Sequence, residues 1–215
     1  GNPGSHFAKY WMHNGYLQSE GEKMSKSLGN FYTVNELLEE FPGEALRLVL
    51  LQTHYRAPLD FTKDGIRQAK ATLDRMYSAL RNSPATGSNG NVPIDIQNAL
   101  EDDLNTPLAL AKLHETITTL NAATDKTVKA QIKREVVTAG ALLGLLQQDP
   151  EKWFRWQSAV SESVLDDAEI EALIARRTEA RKAKDFAESD RIRDQFLEAG
   201  IILEDKAEGT LWRRQ

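Results

Sequence analysis

Residues 62–80 read TKDGIRQAKATLDRMYSAL, and the spacing of their apolar side chains indicates an amphipathic helix. Five apolar positions follow one another at intervals of three and four residues: Ile66, Ala69, Leu73, Met76 and Leu80. This spacing places them on one face of a helix, which must be buried against other elements. Thr62 precedes the pattern and is predicted to cap it.

The segments on both sides of residues 62–80 carry helical signals of the same kind. Thr33 and Glu36 form a capping-box pattern before a short helix, which is expected to end at residues 42–43. Thr106 is predicted to cap a later helix that has Pro107 at its first position. Further helices are predicted over residues 44–51, 94–101 and 128–146. Several amphipathic helices joined by short turns predict a helical bundle.

The last fifty residues have a different pattern. Two helices, over about residues 166–182 and 186–199, are followed by short strands at 201–203 and 210–212. Gly200 fits a helix end and Gly209 fits the turn of a hairpin. We therefore predict a mainly α chain, in which a helical bundle precedes a small mixed α/β domain with a terminal β-hairpin.

Composition excludes several classes of function. The chain has 215 residues, a net charge of −5 and no cysteine, so disulfides, thiolate nucleophiles and cysteine-ligated metals are excluded within it. No apolar run is long enough to span a membrane, and a cytoplasmic location is expected. Residues 149–215 contain 12 Lys and Arg against 16 Asp and Glu. Any nucleic-acid binding there must depend on placed side chains instead of bulk positive charge.

Residues 23–30, KMSKSLGN, are the segment whose residue types point to a chemical role, and we call them the lysine loop. Lys23 and Lys26 bring two ammonium groups close together, and Gly21 and Gly29 allow the surrounding loop to close. Such a loop can neutralise the charge of a polyphosphate while a bond breaks. An exposed basic loop ahead of a helix explains the same residues, and the motif alone does not separate the two interpretations.

A resemblance to a known family extends over nearly the whole chain. Residues 23–30 resemble the KMSKS signature of class I aminoacyl-tRNA synthetases. Five further stretches are similar, in the same order, to cysteinyl-tRNA synthetases: Tyr10–Gly15, His54–Phe61, Asp102–Pro107, Arg181–Phe186 and Gly209–Arg214. In combination these stretches are far more specific than any one of them.

The resemblance implies a fragment of an enzyme that activates cysteine with ATP and magnesium and transfers it to tRNA(Cys). The family's His-x-Gly-His signature and its zinc ligands lie upstream of the lysine loop and have no counterpart here. We therefore expect the carboxy-terminal part of a monomeric enzyme, inactive by itself. The expected parts are a catalytic-domain remnant at 1–32, a stem-contact region and bundle at 33–148, a linker at 149–165 and an anticodon-recognition domain at 166–215.

The resemblance also implies roles for individual residues. Lys23 and Lys26 are the catalytic residues it implies, and Lys26 is the expected ATP contact. The implied tRNA-binding residues are Arg181, Phe186, Asp190, Arg193 and Asp205. Family members often carry Trp at the position of Phe186. Three of these residues have structural alternatives, because Asp190 and Arg193 are spaced as a helical surface ion pair and Phe186 could belong to the core.

Other residues keep two interpretations. Arg47 is expected to brace the bundle in preference to contacting RNA. Residues 54–56 could contact RNA or order their own turn, and Trp212 could pack or bind. For the chain as a whole, the alternative function is a free-standing helical adaptor that binds protein partners, which would have no need of the lysine loop.

Overall fold

The computed structural model describes residues 7–19, 21–24, 31–85, 87, 90–160, 165–206 and 209–214. The chain divides into two compact units, residues 1–147 and 148–215. Lys26 and Gly29 lie outside the described residues.

The first unit contains the predicted amphipathic helices. Its helices are α1 (Val34–Glu40), α2 (Gly43–Leu51), α3 (Lys63–Arg81), α4 (Ile94–Glu101), α5 (Thr106–Ala122) and α6 (Lys126–Leu143). The apolar stripe predicted on residues 66–80 is the buried face of α3. Its side chains are shielded together with apolar residues of the other helices, such as Leu48, Ile96, Leu113 and Leu120. The predicted mainly α class with a helical bundle is confirmed.

The capping predictions are right for two helices and wrong by one residue for a third. Thr33 and Glu36 form a full capping box at α1, and the Thr62 hydroxyl accepts a hydrogen bond from the Gly65 amide at 3.0 Å. At α5 the cap is Asn105, whose Oδ1 accepts from the Leu108 amide at 3.1 Å. Thr106 is the first helical residue. Asn and Thr are both good caps, so only the backbone conformation decides which of two neighbours takes the position.

A partly buried polar contact joins three segments of the first unit that are distant in the sequence. The Tyr77 hydroxyl, on the buried face of α3, donates to the Glu44 carboxylate at 2.9 Å. The Leu146 amide donates to Oε2 of Glu44, also at 2.9 Å. Glu44 therefore ties α2, α3 and the segment after α6 together, with its charge satisfied by donors from two directions.

A small sheet combines two strands that precede α1 with a third strand between α2 and α3. Its strands are β1 (Leu17–Ser19), β2 (Glu22–Lys23) and β3 (Leu59–Asp60). β1 lies in the middle, antiparallel to β2 and parallel to β3. Strand β1 thus pairs with a strand from the connection between α2 and α3.

The second unit has the predicted order of two helices and a hairpin. Its elements are α7 (Pro150–Phe154), α8 (Asp167–Lys182), α9 (Phe186–Glu198), β4 (Ile201–Lys206) and β5 (Gly209–Arg214). β4 and β5 are antiparallel and longer than predicted, with Ile201 opposite Arg214. The core consists of Ile170, Ile174, Ile192, Phe196, Ile201 and Trp212. Helix α7 lies inside the segment expected to be a linker, and it buries Trp153 and Phe154.

Candidate nucleic-acid interface

The strands before the lysine loop bring the chain to its first lysine. Strand β2 ends at Lys23, and the next described residues after Met24 are Phe31 and Tyr32. The turn between β1 and β2 contains Gly21, whose φ of 78° favours glycine. The Gly21 amide donates to Oδ1 of Asp60 at 3.3 Å, which holds this turn against β3.

The chain that approaches the lysine loop rests on residues 54–61. The Gly15 amide donates to the Tyr55 carbonyl at 2.7 Å, and the Leu59 amide donates to the Tyr16 carbonyl at 3.1 Å. A Cβ on Gly15 would collide with the carbonyl of Ala57, so the two backbones can lie this close only with glycine there. Residues 54–61 therefore support β1 and, through it, β2, and we call them the platform.

The chain that leaves the lysine loop is held at α1. Thr33 donates through its amide to Oε2 of Glu36 at 2.8 Å, and this backbone hydrogen bond is the main reason that the pKa of Glu36 is lowered. Lys63 pairs with Glu40, with Nζ 2.5 Å from Oε1, and Nζ also lies 5.4 Å from the centre of the Tyr32 ring. The described residues on the two sides of the loop thus contact β3, through Asp60, and the first residue of α3, Lys63.

In the second unit the structure brings Arg181 and Asp205 together, with Nη1 and Oδ2 2.9 Å apart. Asp205 also takes a bidentate pair from Arg177, at 2.9 and 3.0 Å, and a hydrogen bond from the Thr210 hydroxyl at 2.7 Å. The hydrogen bonds from Arg177 and then Thr210, with the charges of both arginines, hold the pKa of Asp205 well below its usual range. The carboxylate stays ionised across the physiological range of pH.

The four hydrogen bonds to Asp205 occupy the acceptor capacity of a carboxylate. A nucleobase amine can reach this group only by displacing one of the present donors. The geometry therefore makes Asp205 the anchor of two guanidinium groups, and it leaves Arg181 half exposed with donors to spare. An open pocket of about 380 Å³ lies beside it, lined by Thr178, Arg181, Lys182, Asp205, Lys206, Gly209 and Thr210.

Our sequence reasoning missed Arg177 and Thr210. Arg177 lies one helical turn before Arg181 on α8, and only 11% of its side chain is exposed. Thr210 stands directly opposite Asp205 in the hairpin register. The spacing of four between the arginines was a usable signal. The cross-strand pair could have been found only from the exact register of the turn.

Phe186, Asp190 and Arg193 lie on one exposed stripe of α9, at intervals of four and three residues. The opposite face buries Ser189, Ile192 and Phe196. Phe186 is 65% exposed, so the alternative that placed it in the core is wrong. Asp190 and Arg193 do form the surface ion pair considered from the sequence, with Oδ1 and Nη1 3.3 Å apart.

Trp212 is a packing residue. Its ring is buried in the core of the second unit, and its indole N–H donates to Oε1 of Glu171 at 2.9 Å. The guanidinium groups of Arg155 and Arg214 lie 4.9 and 5.4 Å from the ring centre. These contacts leave no aromatic face open for stacking.

The contacts of the remaining candidates favour structural roles. A side chain built on Gly144, at the end of α6, would collide with the Arg47 guanidinium, so Arg47 packs closely against that helix end. Tyr55 and Arg56 both donate to the carboxylate of Asp103, on the turn between α4 and α5. The alternative in which residues 54–56 order their own part of the fold is the one that these contacts support.

The described residues contain no group of three or more His, Asp or Glu side chains that could hold a metal ion. Since the chain also has no cysteine, its residues do not fit a cysteine-ligated zinc site. Within the same described ranges, no helix has both the length and the apolar character needed to cross a membrane.

Three family models match successive parts of the chain. The tRNA synthetases class I (C) catalytic domain matches residues 2–71, and the DALR domain matches residues 95–147. The cysteinyl-tRNA ligase anticodon binding domain matches residues 167–213. The last match contains the Asp205 cluster and the exposed stripe of α9, and the first contains the lysine loop.

Curated proteins with closely similar sequences share one name. The chain is 54% identical over 214 residues to the cysteine–tRNA ligase of Paramagnetospirillum magneticum, covering 98% of this chain and 46% of that protein. It is 53% identical to the enzyme of Rhodospirillum rubrum, covering 99% of the chain and 46% of that protein. It is 56% identical to that of Rhodospirillum centenum, covering 96% and 45%. The chain therefore spans about half the length of these relatives, and it belongs to the cysteine–tRNA ligase family.

Proposed function

We propose that this chain is the carboxy-terminal, tRNA-holding part of a cysteine–tRNA ligase that activates cysteine with ATP and charges tRNA(Cys). The order of the three matched family models, from catalytic to anticodon-binding, is the observation that carries the proposal. The enzyme is monomeric and cytoplasmic in this proposal. Its parts are a catalytic remnant at 1–32, the bundle at 33–148, a connection at 149–165 and the anticodon domain at 166–215.

Lys23 and Lys26 act in the activation step. Cysteine carboxylate attacks the α-phosphorus of ATP, and pyrophosphate leaves with a charge that ammonium groups and magnesium stabilise. Lys26 contacts the phosphates and Lys23 assists it. The platform under β1 and the cap at α1 support this role, because they hold the described residues on both sides of a loop whose lysines are proposed to meet the phosphates. The zinc that selects cysteine belongs to residues outside this chain.

The anticodon is read by two groups of side chains in the second unit. Anticodon bases are single-stranded, so their edges and faces are open to side chains. Arg181, held by Asp205, presents guanidinium donors to a base edge or a phosphate. Phe186 offers an exposed ring for stacking, and Asp190 and Arg193 supply an acceptor and a donor on the same stripe of α9. Asp205 holds Arg181 in place, so its role in recognition is indirect and is exerted through its arginine partners.

Filter binding with tRNA(Cys) transcripts tests this proposal. A transcript with the GCA anticodon should bind the chain more tightly than one with a changed base, by at least about fivefold per base. Asp190→Asn should reduce this preference. Asp194→Asn is the matched control, because Asp194 is also exposed on α9 and also lies near Arg193, at 3.6 Å. Equal binding of all transcripts would contradict the proposal and favour the adaptor alternative.

A further inference from the structure

The turn between α4 and α5 contains two consecutive residues in a conformation that side chains disfavour. Asp103 has φ of 52° and Leu104 has φ of 53°. Aspartate tolerates this left-handed region, but leucine does not. The Leu104 side chain remains 48% exposed, so burial of an apolar group does not offset the strain. Such strain persists only where surrounding contacts impose it, and it is common at sites with a function.

The strained turn aims the Asp103 carboxylate at residues 54–56. Oδ1 accepts from the Tyr55 hydroxyl at 2.6 Å, and the Arg56 guanidinium donates to both oxygens, at 2.7 and 3.1 Å. The Tyr55 ring stacks on the His54 ring and also lies near the Arg56 guanidinium, each 4.9 Å from its centre. Three side chains in sequence thus form one unit that Asp103 holds.

The unit held by Asp103 is the start of the platform under the lysine loop. The Tyr55 carbonyl accepts from the Gly15 amide, and the following residues pair with β1 through β3. β1 in turn pairs with β2, which ends at Lys23. Hydrogen bonds and short covalent segments therefore connect Asp103, on the turn between α4 and α5, with the residue at which the lysine loop begins.

We propose that Asp103 is a positioning residue for the adenylate-forming step, acting through Tyr55 and Arg56 to hold the platform that delivers the lysine loop to ATP. The inference rests on the proposed function, since it assigns to that loop the chemistry of activation. A misplacement of about 1 Å at a reacting group can cost about a hundredfold in rate, so a distant anchor can matter.

The main test uses Asp103→Gly in the intact ligase that contains this chain. Glycine keeps the left-handed backbone available and removes only the carboxylate. Cysteine-dependent ATP–pyrophosphate exchange should show kcat lowered by about tenfold or more, with KM for ATP changed by less than about threefold, because the lost interaction matters most in the transition state. A wild-type kcat would overturn the inference.

Two control variants isolate the carboxylate. Leu104→Gly makes the same turn equally free but keeps Asp103, and Asp102→Asn removes a neighbouring charge that accepts no side-chain hydrogen bond among the described residues. Both should keep kcat within about twofold of the wild type, because glycine adopts the left-handed backbone conformation at position 104 without strain and Asp102 makes no hydrogen bond to residues 54–56. A loss in either control equal to that of Asp103→Gly would show that the turn's backbone or net charge is responsible, and would overturn the inference.

A double-variant comparison separates positioning from loss of stability. Lys26→Ala removes the group that the platform is proposed to deliver. If Asp103 acts through the lysine loop, adding Asp103→Gly to Lys26→Ala should lower kcat by less than about twofold further, since residues that act as one unit are not additive. An undiminished further tenfold loss would show an independent structural effect.

Amide hydrogen exchange gives a readout that does not depend on activity. In the intact ligase, Asp103→Gly should speed exchange in residues 15–23 by about tenfold or more while leaving the core of α5 unchanged. Unchanged exchange at 15–23 would overturn the inference even if the rate fell. If Asp103→Gly does not fold, Tyr55→Phe and Arg56→Gln provide the same two measurements. A wild-type ligase without cysteine-dependent exchange would refute the proposed function instead, and hydrogen exchange would still decide the inference.

Discussion

Asp205 shows how a side chain's partners change the role that its type suggests. An aspartate near an anticodon is expected to accept a hydrogen bond from a base amine. Here its oxygens already accept from Arg177, Arg181 and Thr210. The carboxylate therefore organises donors, and the exposed part of Arg181 is the group that we propose meets RNA.

Phe186 allows a prediction at the residue scale, because it is an exposed ring on the same stripe as Asp190 and Arg193. In the intact ligase, Phe186→Ala should weaken tRNA(Cys) binding by about fivefold to about a hundredfold, the range found for loss of one stacked base. Phe186→Trp should strengthen binding through its larger face. Filter binding measures both. Leu197→Ala is the control, since Leu197 is 72% exposed on the same helix, and an equal loss there would contradict the stacking role.

Asp103 allows a second prediction at this scale, on the dependence of stability on pH. Hydrogen bonds from Arg56 and then Tyr55 lower its pKa from 3.8 to about 2. A carboxyl group whose pKa is lowered on folding stabilises the fold above its unfolded pKa, and this contribution is lost as pH falls towards the folded value. The difference in unfolding free energy between wild type and Asp103→Asn should therefore be full at pH 6 and shrink between pH 4 and pH 2.

Urea denaturation at several pH values measures this difference. Asp102→Asn serves as the control for the change in net charge. A gap between wild type and Asp103→Asn that stays constant from pH 6 to pH 2 would show that the carboxylate is not stabilised by Arg56 and Tyr55 in the native state.

At the scale of an element, variants at the start of α5 test which of two neighbouring residues caps the helix, a choice that the sequence does not settle. Asn105→Ala should lower the free energy of unfolding by about 1 kcal/mol, the usual cost of losing a capping side chain. Thr106→Ala should change it by less than about 0.5 kcal/mol, since Thr106 is already inside the helix. Denaturation followed by circular dichroism measures both variants. A larger loss at Thr106 would mean that the helix begins one residue later than the structure shows.

Helix α9 packs into the core with one face and exposes candidate RNA-binding residues on the other. Ile192 and Phe196 bury one face, and Phe186, Asp190 and Arg193 occupy the other. The apolar spacing of α9 was readable from sequence, and its exposed residues follow as the remainder. Because α9 is anchored by its buried face, the groups that we propose to bind RNA are carried on a helix packed into the core, which suits recognition.

At the scale of the whole molecule, the two units allow the proposed steps to be separated. In the intact ligase, removal of residues 148–215 should leave ATP–pyrophosphate exchange within about threefold of the wild type, because that step uses no tRNA. Charging of tRNA(Cys) should lose at least about a hundredfold in kcat/KM, since contacts to several anticodon bases disappear together.

The same deletion has an informative opposite outcome. Unchanged charging would show that residues 148–215 contribute nothing to tRNA selection. The double variant Asp190→Ala and Arg193→Ala removes only the charges of the exposed stripe on α9. Its charging of tRNA(Cys) should fall by less than that of the deletion variant, and its rate of ATP–pyrophosphate exchange should equal that of the wild type.

Much of the architecture could be predicted because it is encoded locally. The stripe on α3, the capping box at Thr33 and the hairpin after Gly200 each depend on residues within a few positions of one another. The same holds for the motifs in residues 23–30 and 102–107, which carried the family resemblance. The lengths of β4 and β5 were predicted too short, because charged residues such as Lys206 at the strand ends are not typical of a strand. Pairing with the neighbouring strand stabilises them in that conformation.

The amino-acid sequence by itself determined which segments are helical, which face of each is buried and which family the chain resembles. Only the tertiary structure decided that Arg177 holds Asp205, 28 residues away, and that Arg56 holds Asp103, 47 residues away. The physical reason is that a helical period acts over a few residues of one segment. Hydrogen bonds between distant side chains depend instead on how separate elements pack, which no local pattern records.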